Sequence, residues 1–126
     1  GDKNKALEYY EQALALESDD FGVLRNILLL HIDLMQYDEA ALKSKKALDK
    51  YPSMPIIYLI NGVALNKLKR AEEAVSVLEE GLDYIIDDTK MEIDFYNQLS
   101  VTYTLLNNEL KAKAFSDKAK KLETPN

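Results

Sequence analysis

His31 is the one histidine of this 126-residue chain, and there is no cysteine, so it is the side chain best suited to moving a proton. A general base works only with a nucleophile beside it, and no Ser or Cys is placed to serve. The residue falls instead on one helical face with Leu24, Ile27 and Leu28, which reads as packing. Four carboxylates, Asp87, Asp88, Glu92 and Asp94, could in principle hold a hard cation. They lack the alternating spacing and the turn glycine of a calcium loop, and read as helix-start carboxylates favoured by the helix dipole. With four glycines in the whole chain, no glycine-rich phosphate loop can be built. The absence of cysteine removes both a disulfide framework and a thiolate metal site. These residues predict no catalysis, no metal and no cofactor, and the eight tyrosines, set mostly at helical packing spacing, belong to a core.

Charge narrows the partners. Asp and Glu number 22 against 16 Lys and Arg, a net charge of −6, which repels phosphate backbones and anionic membranes. Neither nucleic acid nor a membrane is therefore an expected partner. The longest apolar run, Ile27-Leu28-Leu29-Leu30, stops at His31, far short of the ~20 residues of a membrane span. No signal peptide opens the chain. Gly1-Asp2-Lys3-Asn4 runs directly into a helical pattern, as expected of a piece cut from a longer protein. The compartment stays open, with the cytoplasm favoured.

The elements that must position any functional residue are helices. Apolar spacing predicts seven, at about 3–17, 21–35, 38–50, 55–68, 71–84, 89–106 and 109–122. Pro52 closes the third, and Pro55 sits in the first turn of the fourth, where proline is tolerated. Thr89 and Glu92 have the spacing of a capping box for the sixth. Short connections require consecutive helices to run antiparallel.

A longer period overlies the helical one. Ala6, Ala40 and Ala74 recur every 34 residues and Ala112 follows 38 later; Ala13, Ala47, Gly81 and Ala119 keep the same beat. Small residues at fixed spacing let helices cross closely, unit after unit, in a stacked array. The expected fold is an all-α, right-handed superhelical solenoid of antiparallel helix pairs in a single domain. It comprises the second half of a unit at 1–20 and full units at 21–54, 55–88 and 89–126.

On these positions the chain resembles the tetratricopeptide repeat family over nearly its full length. The half unit offers Ala6, Tyr10 and Ala13, and the first full unit Leu24, Ile27-Leu28, His31, Ala40, Ser44, Ala47 and Pro52. The next offers Tyr58, Asn61-Gly62, Leu65, Ala74, Leu78 and Gly81, and the last Tyr96, Leu99-Ser100, Tyr103, Ala112, Ser116 and Ala119. His31 stands where the family has a packing Tyr. Leu28 replaces the small residue at the pair crossing, so that unit is expected to splay. Ser18 and Ile86 stand in place of proline, and four extra residues near Asp87-Asp88 predict a longer helix or a looser loop.

The resemblance implies a protein–protein interaction module whose concave groove, lined by the first helix of each unit, binds a peptide or helical segment. At groove-facing spacing stand Arg25, Leu29 and Ile32, then Leu59, Val63 and Asn66, then Asn97, Val101 and Thr104. The Lys/Asn clamp by which some members hold a C-terminal carboxylate is not reproduced: Leu29, Ile56, Ile60, Asp94 and Gln98 occupy its places. The alternative is a structural spacer or self-association segment without a groove ligand; an open apolar patch in the groove, or a groove filled by its own side chains, separates the two. The first helix carries Leu7, Tyr9, Tyr10, Leu14 and Leu16, more apolar girth than one neighbour covers. Further repeats before Gly1 in the parent, and weak dimers of the fragment through this helix, are therefore expected.

Overall fold

The computed structural model describes residues 1–16 and 20–123, and the side chains of all of these except 13–16. Among them are seven α-helices: α1 (Asp2–Leu16), α2 (Phe21–Asp33), α3 (Tyr37–Lys50), α4 (Pro55–Lys67), α5 (Ala71–Leu82), α6 (Thr89–Leu105) and α7 (Glu109–Glu123). No strand occurs among the described residues. Each helix packs on the next in sequence, and α2, α4 and α6 also touch in turn, whereas α3, α5 and α7 do not meet one another. The array therefore has two layers, with α2, α4 and α6 forming a continuous one.

Local chemistry sets the helix ends. Asp20 Oδ1 accepts from the Val23 N–H at 3.1 Å and starts α2; Asn108 Oδ1 accepts from the Lys111 N–H at 3.1 Å and starts α7. The cap of α6 is Asp88, whose Oδ1 accepts from the Met91 N–H at 3.0 Å. Thr89 is already the first helical residue, so the expected capping box falls one residue late: the carboxylate outcompetes the hydroxyl for the free N–H groups. Three turns share one geometry. Met35, Lys69 and Asn107 have φ of 60°, 60° and 59°, and the next residue donates back across six, Gln36 to His31, Arg70 to Leu65 and Asn108 to Tyr103. This left-handed helix stop recurs at the spacing of the alanine ladder, although only Asn107 is a residue that favours it.

The ladder sits at the helix crossings. Ala40, Ala74, Ala112, Ala47 and Ala119 are buried, Ala6 is half-buried, and Ala13 lies outside the described side chains. Gly81 shows why bulk is refused there: a Cβ on it would lie 2.7 Å from the Phe95 ring and 2.5 Å from Tyr58 Cβ. At the pair crossing, Gly62 admits Leu78 and the Ser100 hydroxyl donates to Ala112 O at 2.8 Å. Leu28 at the matching position is fully buried, and α2 meets α3 less extensively than α4 meets α5. The core runs from Tyr58 and Leu59 through Leu78 and Phe95 to Leu99, Tyr103 and Ala112.

Candidate functional site

His31 is buried and belongs to a polar tie between helices. Its Nδ1 lies 2.7 Å from Gln36 Oε1 and its Nε2 lies 2.9 Å from Lys43 Nζ, which also donates to Glu11 at 3.3 Å. Lysine can only donate, so Nε2 accepts and Nδ1 carries the proton, the neutral tautomer. Both ring nitrogens are thus occupied in joining α1, α2 and α3. Of the four carboxylates, Asp88 is a helix cap and Asp87 takes a left-handed turn at φ 48°. Among the described residues, no group of three or more His, Asp or Glu is placed to hold a metal ion.

The open face of the α2–α4–α6 layer is the remaining candidate. Of the nine groove positions, Arg25, Leu29, Asn97, Val101 and Thr104 are exposed, with Leu29 at 39% and Val101 at 44%. Ile32 and Val63 are half-buried. Leu59, at 8% exposure, belongs to the core, so a serine there would damage the fold as well as the groove. Asn66 is also buried: its Nδ2 donates to the Gln98 backbone and side-chain oxygens at 3.1 and 3.0 Å, and its Oδ1 accepts from Thr102 Oγ1 at 2.8 Å. Its amide is a clasp between α4 and α6.

A recess of about 600 Å³ opens where α2, α4 and α6 begin. Arg25 and Leu29 line it, joined by Ile56, Tyr84, Ile85 and Ile86. The last three come from the connection between α5 and α6, whose extra residues form a wall, and Ile86 is 83% exposed. Arg25 is its one cationic lining residue and makes no ion pair among the described residues; Asp88, its one anionic lining residue, is spent on the α6 cap. The four-residue lengthening was the only signal of this wall in the sequence. The side chains it presents depend on the path of the connection.

The tetratricopeptide repeat family model matches residues 1–20 and 93–126. Over those two stretches the sequence matches tetratricopeptide repeats. Solved structures with the same fold include MamA from AMB-1 (TM-score 0.79, 22% identity, 95% of this chain and 69% of that one). MamA 41-end from Desulfovibrio magneticus RS-1 superposes with a TM-score of 0.82 at 17% identity, over 98% of this chain and 67% of the other. TTC0263, a thermophilic tetratricopeptide protein of Thermus thermophilus, gives 0.79 at 23% identity, over 96% and 66%. The chain thus spans about two thirds of each of these proteins. No curated protein sequence matches it.

In the tetratricopeptide fold the α2–α4–α6 layer is the concave side, and such a fold implies a protein-interaction module in general terms. At the clamp positions, Ile60 is buried, Ile56 lines the recess, and Gln98 accepts from Asn66. None of these is a lysine or arginine open to a carboxylate. Among the described residues no helix is long and apolar enough to cross a membrane.

Proposed function

We propose that these repeats hold an apolar segment of a partner protein, extended or helical, along the concave face. The observation that carries the reading is the open, apolar recess with the unpaired Arg25 at its edge. Leu29, Val101, Ile32 and Val63 supply the apolar contacts; Arg25, Asn97 and Thr104 fix orientation; Leu59 and Asn66 hold the floor in place. The partner is a protein or peptide, and the reading assigns no cofactor, no nucleic acid, no membrane and no catalysis. Arg25→Glu combined with Leu29→Ser and Val101→Ser changes only exposed side chains. Partner recovery in a pull-down is expected to fall at least about tenfold, the loss of one hot spot or more, with helicity unchanged. Undiminished recovery by this triple variant would remove the concave face as the site.

One observation favours self-association as a second reading. On α1, Leu7 is buried and Tyr10 half-buried, but Tyr9 is 67% exposed, its ring set edge-on to that of Tyr10 at 5.6 Å. Leu14 and Leu16 lie outside the described side chains. Weak dimers through α1 should sediment with a concentration-dependent mass that Tyr9→Lys abolishes. A monomer at all concentrations refutes this second reading.

A further inference from the structure

We propose a second docking surface on the opposite, convex side: the cleft between α3 and α5, shaped and charged to take a basic amphipathic helix of a partner protein. The cleft holds about 740 Å³, within the ~300–1,000 Å³ typical of ligand sites. It exists because the backbones of α3 and α5 do not come close to each other, and α4 lies beneath them as a floor.

Comparison with the next furrow along the array, between α5 and α7, shows that an open cleft is not automatic. There the repeat spacing puts Leu99, Tyr103 and Phe115 where the cleft has Asn61, Leu65 and Val77. Phe115 stacks on Tyr103, with centroids 5.7 Å apart and planes 4° from parallel, and that furrow is filled. Each smaller side chain in the α3–α5 cleft leaves space. The charge is inverted as well. Glu72, Glu73 and Glu80 of the cleft correspond to Leu110, Lys111 and Lys118, and those two lysines lie over the Tyr103 and Phe115 rings at 5.3 and 5.0 Å.

The cleft is lined by five carboxylates against two cations, Lys45 and Arg70. Glu73 already neutralises Arg70 through a bidentate pair at 3.1 and 2.7 Å, whereas Glu72 makes no ion pair among the described residues. Inside the acidic edge lie Leu42, 55% exposed, and Leu65 and Val77. At the floor, buried Asn61 spends its Nδ2 on Ala41 O and Ser44 Oγ, and its Oδ1 accepts from no group among the described residues. Asp38 and Asp49 both line the cleft, so it follows α3 for about three turns. An apolar floor of that length between acidic edges complements a helix with an apolar stripe flanked by Lys or Arg. The chain's own basic helix fits poorly: Lys111 and Lys118 of α7 sit on aromatic rings and Lys113 pairs with Asp117 at 2.8 Å.

The test is fluorescence anisotropy with a labelled Leu/Lys amphipathic helical peptide of about 15 residues, with a Leu/Glu twin as control. The Lys peptide should bind, the Glu twin should not, and added salt should weaken binding. Glu72→Lys with Glu73→Lys should reduce affinity at least about tenfold. So should Leu65→Tyr with Val77→Phe, which installs the packing of the filled furrow. Glu109→Lys with Glu123→Lys, the same charge change on α7, and Leu29→Ser with Val101→Ser on the concave face should leave affinity within about twofold. If the filling pair disturbs folding, the two charge-reversal pairs, all on exposed residues, still decide. Equal losses from both would reduce the effect to overall acidity and overturn the proposal. No binding by the unaltered chain, or loss through the concave variant, would also overturn it. Self-association competed by the peptide would assign the cleft to a second copy instead.

Discussion

Phe95→Ala is expected to destabilise the folded chain by about 3–5 kcal/mol. Phe95 has no exposed surface and stands between α5 and α6, with its ring edge in the space that Gly81 leaves open. Tyr58, Leu59, Leu78, Leu99, Tyr103 and Ala112 share its buried cluster. Truncation loses the burial of the ring and leaves a void that neighbours on two helices cannot both move to fill. Against a total of ~5–15 kcal/mol for a domain, such a loss is severe. In a stacked array each unit touches only its neighbours, so the damage should be local. Denaturant titration gives the magnitude, and amide exchange should show α6 and α7 losing protection before α2 and α3. A loss below about 1 kcal/mol would place the ring outside a close-packed core.

Ala74→Leu is the second large effect, with the opposite physical cause. Ala74 is fully buried in a cluster with Ala40, Ala41, Ala64 and Leu65, in which α4 packs on α3 at one side and on α5 at the other through small side chains. A leucine there adds volume with no void to receive it, and the helices must separate at a cost of about 1–3 kcal/mol. Ala40→Leu should behave alike. Ala114→Leu, exposed on α7, is the control and should stay within about 0.5 kcal/mol of the parent. Thermal melting separates the cases, since a loss of this size lowers Tm by several degrees. If the Ala74 and Ala114 variants melt together, the alanine ladder does not mark the crossings.

The opposite causes of these two losses, a void and an overfilled crossing, show what each packing position demands, and only part of that was legible beforehand. The apolar period located all seven helices to within about two residues, because amphipathic spacing and Pro52 and Pro55 act locally. Ala40, Ala74 and Ala112 identified the crossings, because a small residue repeated at fixed distance has few other uses. The recurrent left-handed turn was hidden: Met35 and Lys69 carry no preference for it, and the backbone takes it because both flanking helices are held in place by packing.

The candidate site divides along the same line. Residue types alone showed no recognisable catalytic or calcium motif at His31 or the 87–94 carboxylates, and helical spacing read with the family resemblance gave the expected groove positions of each first helix. Tertiary structure decided which of those groove residues are available. Leu59 and Asn66 have the right spacing but are taken up by contacts with neighbouring helices, whereas Tyr84, Ile85 and Ile86 reach the recess from a connection that has no helical period to announce it. The open α3–α5 cleft is also a tertiary outcome. Small side chains at Asn61, Leu65 and Val77 mean little singly, and leave a space only because α3 and α5 are held apart above them. Local spacing determines which residues share a face; the distance between elements determines whether that face is filled, buried or open.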